Sequence, residues 1–257
     1  MSQDVLVGLA ISSLSAILLP VLVFLAFRKS RQLSALAVAA GAAVFIVMVI
    51  VLESTMHYYL LIANPVSKAL FEAQPLLFAV YGAGAAALFE ESGRYAAMRM
   101  IARRAGRPST PLAYAIGHGG TESILIGINA GTIAILGYLI MTNQAQSLHL
   151  DAATQAKITD MLKGASLQAG LLGGVERMSA FAIQLGLSYL MWSAVTLKRT
   201  SLGLSAVAAH FLIDFPAALA QKKMLPITGE DFEAAYVVLA MLMLAAIWAF
   251  APRDAEQ

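Results

Sequence analysis

Long apolar runs, seven in all, constrain this chain more than any other feature of its sequence. Each run is close to the about 20 residues that an α-helix needs to cross the hydrocarbon core of a bilayer. Hydrophobic residues make up 60% of the 257 positions and charged residues 12%. The sequence therefore predicts an all-α, polytopic integral membrane helical bundle of about seven transmembrane helices, forming a single domain over residues 1–257. The runs cover residues 5–27, 33–52, 75–98, 111–141, 171–197, 201–220 and 232–251.

The distribution of basic residues predicts the orientation of the bundle. Loops on the cytoplasmic side of a membrane protein carry an excess of Arg and Lys. We therefore expect the N-terminus outside and the C-terminus in the cytoplasm, in the inner or cell membrane of a bacterium. This orientation places nine basic residues in inside loops, namely Arg28, Lys29, Arg31, Arg103, Arg104, Arg107, Lys198, Arg199 and Arg253. It leaves five in outside loops, namely Lys68, Lys157, Lys163, Lys222 and Lys223.

Two segments between the runs are expected to lie outside the bilayer core. Residues 58–71 are amphipathic and are interrupted by Asn64 and Pro65, which predicts an outside interfacial or re-entrant segment. The polar stretch 142–166 predicts an outside loop with a short helix, which serves as a lid or as a connector. Small residues at helical spacing, such as Gly127 and Gly131, predict close helix packing.

Ionisable residues recur inside three of the apolar runs. Each costs on the order of 3 kcal/mol at the bilayer centre, so such residues indicate a functional site. Pairs spaced i, i+4 lie on one helix face. Measured at about 1.5 Å per residue from the cytoplasmic helix ends, the pairs fall in one layer, so three helices can bring them together. The pairs are Glu90 with Arg94, beside Glu91, then His118 with Glu122, and His210 with Asp214.

Carboxylates beside imidazoles in a buried layer point to hydrolysis by activated water. A base or a metal ion lowers the cost of forming hydroxide. Imidazole and carboxylate are donors that zinc accepts, and the chain has no cysteine. Either glutamate of the first motif would be the general base, and the arginine would orient the pair. The candidate catalytic residues are Glu90, Glu91, Arg94, His118 and His210, and the candidate metal ligands are His118, Glu122, His210 and Asp214.

Two other functions remain open from the residues alone. Buried Glu, Asp and His side chains also form proton relays, so a proton-coupled transporter fits the same cluster. A non-catalytic membrane scaffold that binds a partner helix fits it as well. The expected partners are the lipid bilayer and a membrane protein or peptide. A divalent metal is expected, with zinc as the first candidate. Neither nucleic acid nor an organic cofactor is expected.

Further polar residues in or near the apolar runs receive weaker expectations. Gln184 lies at the depth of the cluster and is expected to hydrogen-bond into it. Glu176 and Arg177 are expected to form an interfacial ion pair. Glu53 and His57 are placed at the outer interface without a role.

The three paired segments resemble the motifs of a known family. Glu90-Glu91-x-x-Arg94, His118-x-x-x-Glu122 and His210-x-x-x-Asp214, in this order on separate helices, are similar to those of the YhfC-type intramembrane metalloproteases. They also resemble the PrsW proteases and, more distantly, the CAAX prenyl and bacteriocin-processing glutamate proteases. The resemblance covers about residues 89–216. It implies hydrolysis of a peptide bond within the membrane, with a glutamate of the first motif activating water.

Overall fold

The computed structural model describes residues 3–144, 150–163, 166–226 and 229–250, and all regular structure among them is helical. The expected all-α class is therefore confirmed. Arg253 lies outside the described residues. In chain order the helices are α1 (Gln3–Phe27), α2 (Ala35–Ala63), α3 (Pro65–Ala73), α4 (Pro75–Ala105), α5 (Thr110–Met141), α6 (Ala152–Lys163), α7 (Leu167–Thr196), α8 (Thr200–Gln221) and α9 (Gly229–Phe250).

Six of the described helices are long and apolar enough to cross a membrane, namely α1, α2, α5, α7, α8 and α9. The polytopic membrane architecture is therefore confirmed. Helix α4 has 31 residues, so it is long enough to cross as well, but it is not one of these six. It nevertheless packs inside the bundle along α7 and α8. A seventh span, formed by α4, stays a prediction.

Helix α2 is longer than its apolar run predicts, because it continues past residue 52 to Ala63. Two stretches within it, Phe45–Glu53 and Tyr59–Ala63, have π-helical hydrogen bonding. The helix ends at Asn64, which has an extended backbone and accepts hydrogen bonds from Val66 N and Ser67 N. The interruption at Asn64 and Pro65 is therefore present, but only α3 remains of the separate segment expected at 58–71.

The crossing of α2 and α5 is a direct backbone contact made possible by glycine. A Cβ on Gly117 would collide with the carbonyl oxygen of Val38, and a Cβ on Gly41 would collide with that of Tyr114. Without these methyl groups the two helices lie close along one turn. This contact encloses the next residue of α5, His118, which is fully buried.

The expected short helix in the loop after α5 is present as α6. Its Ile158 and Leu162 pack against Val5 and Leu6 at the start of α1. Asp151 begins the helix by accepting hydrogen bonds from the amide and the hydroxyl of Thr154. The amide bond, followed by the hydroxyl bond, holds the pKa of Asp151 below its usual value.

One end of the bundle carries most of the basic residues that flank its helices. It is formed by the end of α1, the start of α2, the α4–α5 connection and the α7–α8 connection. We call it the basic end. The basic residues at this end are Arg28, Lys29, Arg31, Arg103, Arg104, Arg107, Lys198 and Arg199.

Candidate catalytic site

Three helices bring the first residues of the three motifs together in the middle of the bundle. Glu90 and Glu91 lie halfway along α4, His118 lies on α5 and His210 lies on α8. His118 Nε2 is 2.9 Å from Glu90 Oε2, and His210 Nδ1 is 2.9 Å from Glu91 Oε1. All four side chains are buried. The expected convergence of the motifs is therefore present in the fold.

Glu90, Glu91, His118 and His210 form a group that we call the Glu90 cluster. The carboxylate of Glu90 lies at its centre. Its Oε2 accepts hydrogen bonds from His118 Nε2 and from Gln184 Nε2, the latter at 3.0 Å. Its Oε1 is 3.9 Å from His210 Nε2, and Arg94 Nη2 is 3.7 Å from Oε2. Glu90 therefore lies between the two histidines. The Gln184 contact agrees with the expectation from its depth.

Glu91 faces a different set of partners. A carboxylate only accepts hydrogen bonds, so His210 Nδ1 donates to Glu91 Oε1. The other ring nitrogen of His210, Nε2, lies 3.3 Å from Asp214 Oδ2. A carboxylate that holds one nitrogen of an imidazole and turns the other towards a reaction centre is the usual support of histidines at metal and catalytic sites. Glu91 thus orients His210.

Arg94 is a fully buried cation beneath the two glutamates. Its Nη1 donates to Gln184 O at 3.1 Å and to Ser188 Oγ at 2.6 Å, and its Nη2 donates to Gln184 Oε1. Its Nε is 3.2 Å from Glu91 Oε2. An arginine held at both ends in this way does not extend to the membrane surface. It compensates the buried carboxylates and fixes Gln184.

Glu122 joins the cluster through a second chain of contacts. Gln184 Nε2 donates to Glu122 Oε2 at 3.0 Å, and Arg177 Nη1 is 3.4 Å from Glu122 Oε1. Arg177 also hydrogen-bonds Glu176. Arg177 was expected in an ion pair at the interface, and its contact with Glu122 was not predicted. The available signal was a charged residue within a long apolar helix, but counting residues along the helix ignores the reach of an arginine side chain.

Aromatic rings enclose His118 on the side away from Glu90. Phe45 meets its ring edge-on at a centroid distance of 5.4 Å, and Tyr114 stacks on it at 5.8 Å. His118 Nδ1 and Tyr114 Oη are buried without a hydrogen-bond partner in the described part of the chain. Phe45 is the first residue of a π-helical stretch of α2.

Two cavities approach the Glu90 cluster from opposite ends of the bundle. A cavity of about 840 Å³ extends from the basic end and has Glu91 in its wall. A second cavity of about 400 Å³ extends from the other end and has Asp214 in its wall. The side chain of Asp214 is 34% exposed, whereas that of Glu91 is fully buried. The cluster is therefore more open on the Asp214 side.

A further polar group lines the second cavity. His57 Nδ1 is 2.7 Å from Tyr81 Oη, and His57 Nε2 is 3.1 Å from Glu53 Oε1. Glu53 is buried within a π-helical stretch of α2. Neither Glu53 nor His57 was predicted to have a role, and Tyr81, on α4, was not identified from the sequence.

The donor atoms of the cluster suit a divalent metal by type. His118 and His210 supply imidazole nitrogens, and Glu122 and Asp214 supply carboxylate oxygens, which zinc accepts. Within the described residues, no three His, Asp or Glu side chains are grouped as a metal site. The side chains instead hydrogen-bond one another, as His118 does to Glu90.

Comparison with known proteins gives two matches over most of the chain. A family model described as YhfC intramembrane metalloprotease matches residues 15–230. The chain is also 31% identical over 251 residues to an "Uncharacterized membrane protein YhfC" of Bacillus subtilis (strain 168), with 96% of this chain and 95% of that protein covered. No solved structure matches.

Proposed function

The chain belongs to the YhfC intramembrane metalloprotease family, and from this premise we propose that it hydrolyses a peptide bond of a membrane protein or membrane-bound peptide at the Glu90 cluster. The observation that carries the proposal is the position of Glu90, a buried carboxylate between two histidines. A general base needs hydrogen-bond reach to water and a fixed geometry, and Glu90 has partners that fix it. The cavity at Asp214 provides access for water.

We assign the general base to Glu90 rather than to Glu91. Glu91 is fully buried and is engaged by His210 and Arg94, so it acts as a positioning residue. Glu90 accepts a proton from water, and the resulting hydroxide attacks the carbonyl carbon of the substrate. The carbon–nitrogen bond then breaks, and the same proton passes to the leaving amine. Glu91 orients the imidazole of His210 so that its Nε2 faces Glu90.

We propose that the metal ligands are His118 and His210 together with Glu122 or Asp214, and that the metal is zinc. A bound divalent cation supplies positive charge that acidifies water and polarises a carbonyl group. Gln184 and Arg177 hold Glu122, and the Glu91 carboxylate holds His210, so the proposed ligands have supporting partners.

Purified protein in lipid nanodiscs provides the direct test of hydrolysis. Wild-type protein and Glu90→Gln would be incubated with a library of single-span peptides, and products would be identified by mass spectrometry. Removing a general base lowers turnover by about 10²- to 10⁴-fold. Glu53→Gln, which changes a buried carboxylate outside the Glu90 cluster, is the matched control and should cleave as wild type does. Undiminished cleavage by Glu90→Gln would overturn the assignment.

The metal proposal has a separate test. Wild-type protein should contain about one zinc per chain, and His210→Ala should contain much less when prepared in parallel. Elemental analysis of the detergent-purified proteins measures both. The control is His57→Ala, whose imidazole lies outside the cluster and whose loss should leave the zinc content unchanged. Equal zinc in all three preparations would contradict the ligand assignment.

One observation favours a second candidate function, proton-coupled transport. Cavities from both ends of the bundle reach the cluster, as a transport path requires. In that case Glu90→Gln abolishes proton flux in proteoliposomes, and wild-type protein cleaves no peptide. The two functions are therefore distinguished by the activity that Glu90→Gln removes, which is peptide cleavage in the first case and proton flux in the second.

A further inference from the structure

The cavity at the basic end has a composition that indicates its occupant. It lies between α4, α7 and α8 and has a volume of about 840 Å³, within the range of about 300–1,000 Å³ for ligand pockets. Its mouth is lined by Arg99, Arg103 and Lys198. Its far end reaches Glu91, which belongs to the Glu90 cluster.

The mouth carries positive charge that no nearby carboxylate balances. In the part of the chain that the structure describes, none of Arg99, Arg103 and Lys198 forms an ion pair with a carboxylate. Arg99 lies over the ring of Tyr95, 5.9 Å from its centroid. Arg104, at the same end of the bundle, does not line the cavity. The three cations therefore present an uncompensated charge to whatever enters.

The walls between the charged mouth and the far end are largely apolar, and the far end lies against the Glu90 cluster, which favours a peptide over a lipid. Leu204 and Val207 form part of an apolar wall, whereas Glu91 and Ser92 lie at the far end. A lipid acyl chain carries no amide bond that this cluster could hydrolyse. A peptide backbone provides amide groups along its whole length.

We propose that this cavity binds the substrate segment next to the cleaved bond, and that carboxylates of this segment pair with Arg99, Arg103 and Lys198. The carboxylates come from acidic side chains or from the chain terminus. The role as a substrate site rests on the proposed function, whereas binding itself does not require hydrolysis. Membrane spans with a basic flank at this end are repelled by the same charges. The substrate class is therefore a membrane peptide with an acidic flank.

Binding would be measured with Glu90→Gln protein in nanodiscs of zwitterionic lipid, so that no cleavage occurs. The probes are three fluorescent single-span peptides that differ only in a flank of three Asp, three Asn or three Lys. We expect the Asp peptide to bind about tenfold more tightly than the Asn peptide, because exposed ion pairs contribute modestly and three are formed. Added salt should reduce this difference. Equal binding of the three peptides overturns the proposal.

A pair of triple variants locates the effect. R99Q/R103Q/K198Q should remove the preference for the Asp peptide. K29Q/R104Q/R199Q removes three charges at the same end outside the cavity lining and should retain it. If both variants lose it equally, the effect comes from general surface charge and the cavity site is wrong. Competition by anionic lipid in the nanodisc, with no preference among the peptides, supports a lipid occupant and also overturns the proposal.

A variant that blocks the cavity provides a test without a charge change. A Cβ on Gly203 would lie 3.7 Å from Ala194 Cβ and 3.8 Å from Met191 Sδ, so a side chain fits there and extends into the cavity. Gly203→Phe should weaken binding of all three peptides, whereas unchanged binding contradicts the site. If peptide binding follows these expectations but wild-type protein never cleaves, the proposed function fails and the binding site stands. If wild-type protein cleaves peptides without preferring the acidic flank, the proposed function stands and the binding site is wrong.

Discussion

The two adjacent glutamates of α4 have different surroundings although they are neighbours in the chain. Glu90 faces both histidines and Gln184, whereas Glu91 is enclosed by His210 and Arg94. Neighbouring residues of a helix point about 100° apart, so two carboxylates can serve two tasks. In the proposed function, Glu90 transfers the proton and Glu91 orients an imidazole.

Replacement of Glu91 by Gln should therefore weaken the site without abolishing it. Loss of a supporting carboxylate typically lowers metal affinity or activity by about 10- to 100-fold. Zinc affinity, measured by competition with a chelator, should fall by such a factor in Glu91→Gln. Glu91→Asp, which keeps the charge, is the control and should recover part of the loss. Identical zinc affinities of wild type and Glu91→Gln would show that Glu91 has no orienting role.

Local spacing was sufficient to find the residues of the cluster but not their pairing. The i, i+4 pattern identifies ionisable residues on one helix face. It does not state that His118 pairs with Glu90, 28 positions away, or that His210 pairs with Glu91, 119 positions away. The contact of Arg177 with Glu122 was missed because the depth of a residue along its helix does not include the reach of its side chain. Pairing depends on how helices rotate against one another, which packing over the whole bundle determines.

At the scale of elements, the close crossing of α2 and α5 determines where His118 lies. Gly117→Ala should destabilise the protein by about 1–3 kcal/mol, because the added methyl group meets a backbone carbonyl that cannot move aside. Thermal unfolding in detergent measures the change. Gly84→Ala is the matched control, since a Cβ there has no atom within 4 Å and alanine favours a helix. A stability of Gly117→Ala equal to that of Gly84→Ala would contradict the crossing.

The length of α2 illustrates what composition alone could not predict. The apolar run stops before Glu53 and His57, so the sequence places the end of the span at residue 52. In the fold, Glu53 is buried and hydrogen-bonds to His57, which in turn hydrogen-bonds to Tyr81, and the helix continues. Tyr81 belongs to α4, and its contribution is invisible in the sequence around Glu53. The seven expected runs, by contrast, all correspond to helices, since hydrophobic length is a local property.

At the scale of the whole molecule, the orientation in the membrane can be tested with single cysteines, because the chain has none of its own. Ser30→Cys lies at the basic end and Thr142→Cys at the other, and both positions are exposed. With the N-terminus outside, a membrane-impermeant maleimide should label Thr142→Cys in intact cells and Ser30→Cys only after lysis. The reverse pattern would show that the basic end faces outwards.

The pair of cavities also has an electrical consequence. Where aqueous cavities enter a bilayer from both faces, the membrane potential falls mainly across the thin layer of protein between them. That layer here contains Glu90, the two histidines and Arg94. A charge that crosses the whole field exchanges about 2.3 kcal/mol per 100 mV. A proton that entered from one water-filled cavity and left through the other would therefore cross most of the membrane potential, as the alternative of proton-coupled transport requires.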